Sequence, residues 1–258
     1  MILADTHTHL YAKEFNEDRA QVMSHSFQEG VSRLFLPNID YSSMENMLEL
    51  VKQYPENCFP MLGLHPCSIK LDYEAEWESV REYFNRKETK YYAVGEIGLD
   101  FYWDTTFAEQ QKIAFRKQID FALQEGLPII IHVRKAWKET LEIVQEYADK
   151  DLRGIFHCFS GSLEEAKQVM SLKKFKLGIG GVVTFKNGGL SEVVPHIPME
   201  YLVLETDAPY LAPVPHRGKR NESSYLTLIA QKVAELKNCS IEEVAEQTTQ
   251  NSINVFGR

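Results

Sequence analysis

The sequence predicts an α/β fold, a (β/α)8 TIM barrel, and three observations carry that expectation. Short apolar β-like runs alternate with longer stretches of helical period from end to end of the 258 residues. Eight such units fit the length, which is ordinary for one closed barrel. No strand runs into the Gly-x-Gly-x-x-Gly turn that a doubly wound open sheet would use for a dinucleotide. Near-continuous apolar strands separated by helices imply a parallel sheet covered on its outer face. No linker, low-complexity tract or internal repeat interrupts the rhythm, so residues 1–258 are expected to form one domain.

In chain order, Ile2-Leu3-Ala4 opens the first strand, and residues 14–29 read as a helix with Phe15, Val22, Met23 and Phe27 apolar and Gly30 as its stop. Residues 31–37 form strand two, 43–54 a helix ended by Pro55, 59–64 strand three and 74–84 a helix. Residues 91–97 are strand four, leading into Gly98-Leu99-Asp100. The longest helix is expected over 107–124, with Ile113, Phe115, Ile119 and Leu123 as its stripe. Strand five spans 128–133, a helix 137–148 and strand six 154–159. Ser162-Leu163-Glu164-Glu165 is a capping box opening the next helix. Residues 175–181 and 201–206 are strands seven and eight; a helix over 225–236 follows, and Ser240-Ile241-Glu242-Glu243 caps the last.

The net charge of −9 argues against a broadly basic nucleic-acid-coating surface, though a bound cation can dominate the charge of a local site. Four cysteines without a Cys-x-x-Cys pair predict reduced thiols and a cytoplasmic setting. No apolar run approaches the ~20 residues of a membrane span, so no membrane partner is expected.

The polar residues inside these apolar strands gather at one end. His7 and His9 close strand one, His65 strand three, Glu96 strand four, His132 strand five, His157 strand six and Asp207 strand eight. The first two are separated by one residue, so on an extended chain they point to one face. One strand histidine is more often a hydrogen-bonded core residue, but this many at the carboxyl ends, where barrel active sites are built, point to metal. Four imidazoles (His7, His9, His132, His157) and two carboxylates (Glu96, Asp207) exceed the ligand set of a single catalytic zinc. They suit two divalent ions, Mg²⁺, Mn²⁺ or Zn²⁺, with Glu96 as the bridge.

The stretches Asp5-Thr6-His7-Thr8-His9, Gly63-Leu64-His65-Pro66, Gly95-Glu96-Ile97-Gly98-Leu99-Asp100, Ile131-His132, His157-Cys158-Phe159-Ser160-Gly161 and Glu205-Thr206-Asp207-Ala208-Pro209-Tyr210-Leu211 resemble the TatD family of metal-dependent hydrolases, in order and over essentially the whole chain. The resemblance implies an amidohydrolase-like barrel and a divalent-metal-dependent deoxyribonuclease. It implies one ion on His7, His9, Glu96 and Asp207 and a second on Glu96, His132 and His157. His65 and Glu205 match family positions at the site that are not core ligands, and Glu205 is expected to orient water or substrate. For His65 a turn residue bonded to backbone is the competing reading.

After strand eight, Arg217, Lys219 and Arg220 place three cations in four residues, a candidate phosphate clamp in an acidic protein. Ser223-Ser224 stands where the family usually has proline, which bears on the stiffness of that loop. Arg134, Lys135 and Lys138 add positive charge beyond strand five, and Tyr102 and Trp103 beyond strand four are candidates for stacking on a base. Gly178, Gly180 and Gly181 fit either close approach to a ligand or a barrel bend. Cys158 is read as facing the core.

The expected chemistry is phosphodiester hydrolysis by a metal-activated water, with Asp207 as ligand and general base, on single-stranded DNA ends or short oligonucleotides in a 3′-to-5′ direction. The alternatives are a carbonyl hydrolase on the same ions, such as an aminoacyl-tRNA deacylase or lactonase, and a silent metal-binding module.

Overall fold

Alternating inward and outward side chains explain both the barrel and the position of its polar end. Ile130 lies in the lumen cluster and His132, two residues on, reaches the mouth; Ile155 and His157 repeat the relation on the next strand. The computed structural model describes residues 1–257; Arg258, counted in the one-domain expectation, lies outside the described residues. Among these, the strands are β1 (Leu3–Asp5), β2 (Val31–Pro37), β3 (Cys58–Met61), β4 (Val94–Asp100), β5 (Ile129–Arg134), β6 (Gly154–Phe156), β7 (Phe175–Ile179) and β8 (Leu202–Leu204). They pair in sequence order, all parallel, as β1-β2-β3 and β4 through β8. A bridge between Leu62 and Val94 joins the two groups. The amide of Thr6 donates to the carbonyl of Leu204 at 3.0 Å, which closes the ring.

The helices are α1 (Arg19–Gln28), α2 (Met44–Gln53), α3 (Tyr73–Asn85), α4 (Ala108–Glu125), α5 (Trp137–Gln145), α6 (Leu163–Ser171), the short α7 (Leu190–Val193), α8 (Leu226–Lys237) and α9 (Ile241–Phe256). The capping boxes of α6 and α9 form as expected, each with the serine side chain accepting from the glutamate amide and the glutamate accepting from the serine amide. One core layer packs between strands and helices. A second fills the lumen with Ala4, Phe35, Phe59, Met61, Ile130, Ile155 and Val203, and Phe256 of α9 stoppers it from below, its ring stacked on Phe35 at 3.9 Å.

Three expectations are corrected. Strand four starts at Val94 rather than residue 91, although Tyr92 and Ala93 already bond the β3 segment (Tyr92 N–H to Pro60 carbonyl, 3.0 Å; Leu62 N–H to Ala93 carbonyl, 3.1 Å). The strand also slips register against β5 between Val94 and Ile97, and Glu96 sits in that irregularity. The first helix begins at Arg19, with only a 3₁₀ turn at Lys13–Phe15 before it. Ile113 does not belong to the buried stripe of α4; it is 48% exposed, whereas Gln111 and Gln118 are buried. Those glutamines turn inward to satisfy strand ends. Gln118 accepts from the Leu64 amide (2.7 Å) and donates to its carbonyl (3.2 Å), and Gln111 does the same for Asp100 (2.9 and 3.1 Å). Among the described residues no helix is long and apolar enough to cross a membrane.

Candidate metal centre

The expected residues meet at the carboxyl end of the barrel, and Glu96 stands between them. Its Oε2 is 3.2 Å from His7 Nε2 and 3.9 Å from His9 Nε2. Its Oε1 is 2.7 Å from His132 Nδ1 and 2.8 Å from His157 Nε2. Asp207 Oδ1 faces the first pair, at 3.7 Å from His7 and 3.6 Å from His9. Among the described residues three clusters have ligand atoms within 4.8 Å of one another: His7, His9 and Asp207; His7, Glu96 and His157; His65, Glu96 and His132.

Hydrogen bonds behind the site decide which ring nitrogen His9 and His132 offer. Tyr11 donates its hydroxyl to the Pro37 carbonyl (2.6 Å), so it accepts from His9 Nδ1 (2.9 Å) and leaves Nε2 facing the site. Asp100 Oδ2 takes the proton of His132 Nε2 (2.9 Å), which leaves Nδ1 to face inward. Glu205 Oε1 lies 3.3 Å behind His157 Nδ1. Such outer partners fix tautomer and ring orientation in metal sites. His7 is fully buried and neither of its nitrogens has a hydrogen-bond partner. A buried imidazole left unpaired is costly unless something takes its lone pair. That orphaned atom and the mixed nitrogen and oxygen donors fit divalent cations.

Burial pushes the Glu96 carboxyl up, but His157, His65 and His7 around it and the hydrogen bond from His132 hold it well below the carboxylate range. Asp207 is lowered too: burial opposes ionisation and is outweighed by His9, His157 and His7. Burial would lower His157, and Glu96 and Glu205 instead raise it well above the ordinary histidine value. His7 is lowered, by burial first and then by His157. The imidazoles around Glu96 and Asp207 thus hold both carboxylates ionised.

Asp207 reaches the site by leaving the strand. β8 ends at Leu204 and Asp207 takes a left-handed φ of 57°, its amide donating to the His7 carbonyl at 2.9 Å. The same departure separates it from Glu205. Glu205 is fully buried, accepts from the Cys158 amide and lies against Gly178, where a Cβ would sit 2.1 Å from Oε2. The expectation that Glu205 orients water or substrate therefore meets a different placement: it backs His157. Gly178 is glycine because Glu205 occupies the space of its side chain. Cys158 also departs from expectation; at φ 48° it lies near Asp207, Glu205 and Glu96, and burial first, then those charges, raise its thiol.

His65 satisfies both readings, one on each nitrogen. Its Nδ1 accepts from the Cys67 amide (3.0 Å), so Nε2 carries the proton and points at Glu96 Oε1, 3.4 Å away. It is a donor at the rim rather than a lone-pair ligand. Burial lowers it, which keeps it neutral.

The basic loop divides. Arg217 is exposed, with its guanidinium 4.5 Å from the Phe185 ring, and Lys219 is exposed. Arg220 does not join a phosphate clamp. Its fork is filled by Asp18 (2.8 and 2.6 Å) and the Glu14 carbonyl (2.7 Å), and it lies over Phe15. Asp18 is lowered and Arg220 raised by that pairing. Tyr11 and Asp100 were missed as site residues. Tyr11 follows His9 at spacing two, and Asp100 closes the Gly95–Asp100 motif, so a search for polar partners two and four residues past each ligand would have found both.

A family model described as TatD related DNase matches residues 4–257. The chain belongs to this family. The uncharacterized metal-dependent hydrolase YabD of Bacillus subtilis (strain 168) is 38% identical over 256 residues, covering 99% of each chain. A TatD protein of Erwinia tasmaniensis, named a 3′-5′ ssDNA/RNA exonuclease, is 31% identical over 261 residues, covering 98% of each. The crystal structure of YjjV, a TatD homologue from Escherichia coli K12, superposes with a TM-score of 0.91 at 27% identity, covering 99% of this chain and 98% of that one. As a TatD family member the protein is a metal-dependent hydrolase acting on ester bonds, and its alternating parallel barrel is the family's architecture.

Proposed function

We propose that this TatD protein is a phosphodiesterase that trims single-stranded DNA from its 3′ end with two divalent ions. The observation that carries the reading is the Glu96 carboxylate, whose two oxygens each face a different pair of imidazoles. His7, His9, Asp207 and Glu96 would hold one ion, and Glu96, His132 and His157 the other. Bound there, the ions supply Lewis acidity to the phosphoryl oxygens and make water acidic near neutral pH.

The chain's own residues do the rest. Asp207 is the more open of the two carboxylates, 14% exposed against 5% for Glu96, so its carboxylate meets incoming water and accepts the proton. His65 Nε2–H donates to a phosphoryl oxygen as negative charge builds there. Glu205, Tyr11 and Asp100 keep the imidazoles oriented. Arg217 and Lys219 hold a flanking phosphate, a task that a neutral ester or lactone would not give them. The Erwinia relative's name as a single-strand exonuclease supports the same substrate class.

Digestion of a 5′-labelled single-stranded oligonucleotide tests this. Chelated protein should be inactive, restoration with Mg²⁺, Mn²⁺ or Zn²⁺ in turn should identify the working ion, and products should shorten progressively from the 3′ end. Internal cuts would make it an endonuclease. Faster turnover of an ester, lactone or aminoacyl ester than of any oligonucleotide would replace phosphorus by carbonyl carbon as the electrophile. No turnover of any substrate above the chelated control would leave only a metal-binding module.

The two halves of the basic loop should separate by mutation. Arg217→Ala with Lys219→Ala should weaken oligonucleotide binding and flatten the slope of log Kd against log salt by about one for each phosphate no longer neutralised. Arg220→Ala should leave that slope unchanged and lower stability by only about 0.5–1 kcal/mol, as suits a partly exposed pair. A salt slope altered equally by Arg220→Ala would restore it to the clamp.

A further inference from the structure

We infer that Trp103 is the stacking face of a base subsite, built with Tyr102 and Arg134 and held at a fixed offset from the metal centre by Asp100. The inference rests on the phosphodiesterase reading and deepens it by naming what grips the nucleotide.

Tyr102 and Trp103 are 51% and 69% exposed at the mouth of the barrel, immediately beyond β4. The other tryptophans, Trp77 and Trp137, pack against the apolar core. Two large aromatic rings left open beside a hydrolytic centre have surface to offer a ligand. Their rings meet edge to face at 4.9 Å and 86°. The Arg134 guanidinium lies 3.9 Å from the Tyr102 centroid and 5.0 Å from that of Trp103. Arg134 thus covers Tyr102 more closely, and Trp103 presents the freer face.

The platform is tied to the metal site through one buried carboxylate. Asp100 Oδ1 accepts from the amides of Tyr102 (2.9 Å) and Trp103 (3.3 Å), while Oδ2 accepts from His132 Nε2 (2.9 Å). Gln111 pins the Asp100 backbone on both sides. The side chain that orients a metal-facing imidazole therefore also fixes the loop that carries the aromatic pair. A rigid spacing between hydrolytic centre and stacking face suits a polymer of regular repeat, and the cation beside the rings suits its phosphates. An aromatic face accepts any base, so the subsite selects for a base rather than for a sequence. A paired base offers no free face, which favours unpaired strands.

The test uses the metal-loaded enzyme and two phosphorothioate oligonucleotides of equal length, one of thymidines and one abasic. The wild type should bind the thymidine strand about tenfold tighter than the abasic one, with quenching of tryptophan fluorescence. Trp103→Ala should bind the two strands equally and lose the quenching, and Trp103→Phe should recover part of the preference. In turnover of ordinary oligonucleotides, Trp103→Ala should raise KM by about tenfold with a much smaller change in kcat. Retention of the thymidine preference by Trp103→Ala, or its absence in the wild type, would overturn the subsite. If the wild type cleaves no oligonucleotide with any ion, the nuclease reading falls on that result alone. The binding preference still decides stacking.

Discussion

Glu96→Gln is expected to abolish turnover and reduce bound metal from two ions to one or fewer. Glutamine keeps the volume of the side chain but replaces one carboxylate oxygen with an amide that has no lone pair to give. Each oxygen of Glu96 serves a different pair of imidazoles, so the loss reaches both halves of the centre. Removing even an outer partner of a metal ligand costs about 10–100-fold in affinity, so loss of a shared ligand should lower kcat/KM by roughly a thousandfold or more. His157 gives a second readout. Glu96 is the largest influence raising it, so its imidazole should titrate lower in the metal-free variant than in the metal-free wild type. Metal content by elemental analysis, together with histidine titration by NMR, checks both. Wild-type metal content with wild-type kcat would remove Glu96 from the bridging position.

The second large effect is expected at Asp5, which never touches the proposed ions. Its Oδ1 accepts from the Thr206 amide (2.9 Å) and its Oδ2 from the hydroxyls of Thr206 (2.6 Å) and Ser223 (2.7 Å), so it ties β1 to the segment that carries Asp207. Asp5→Ala would leave these donors buried without an acceptor, at about 1–3 kcal/mol each, and should destabilise the protein by roughly 3–5 kcal/mol. Burial is the main cause that pushes the Asp5 carboxyl up to about 7, against the hydrogen bonds from Ser223 and Thr206. The folded protein therefore holds a proton that the unfolded chain has already released. The stability linked to that proton is complete below the unfolded value near 3.8 and is lost as pH rises through about 7. Asp5→Asn cannot ionise, so its stability relative to the wild type should improve on going from about pH 5 to about pH 8. Urea denaturation of both chelated proteins measures this; a constant difference across that range would show Asp5 ionised throughout.

Pattern and site were legible in the sequence to different depths. Strand histidines announce themselves because an imidazole interrupts an otherwise apolar run, and period two then places His132 above Ile130 and His157 above Ile155. That rule reaches no further than the strand, so it does not say how Glu205 and Asp207 are set relative to each other. It assumes an extended chain, and the left-handed backbone at Asp207 breaks the alternation at the point where the chemistry needs it. Helical periodicity misplaced Ile113 for a related reason. Polar residues can be buried for their hydrogen bonds, as Gln111 and Gln118 are, and no hydrophobic count registers that. Arg220 shows the limit of reading charge along a chain. Its partner Asp18 is some two hundred residues away, and only the closed ring brings them together.

Phe256, stacked on Phe35 beneath a lumen already filled by side chains, leaves the barrel open to ligands at one end alone. Nothing passes through the packed barrel, so whatever reaches the metal-facing residues at its mouth leaves by the same side.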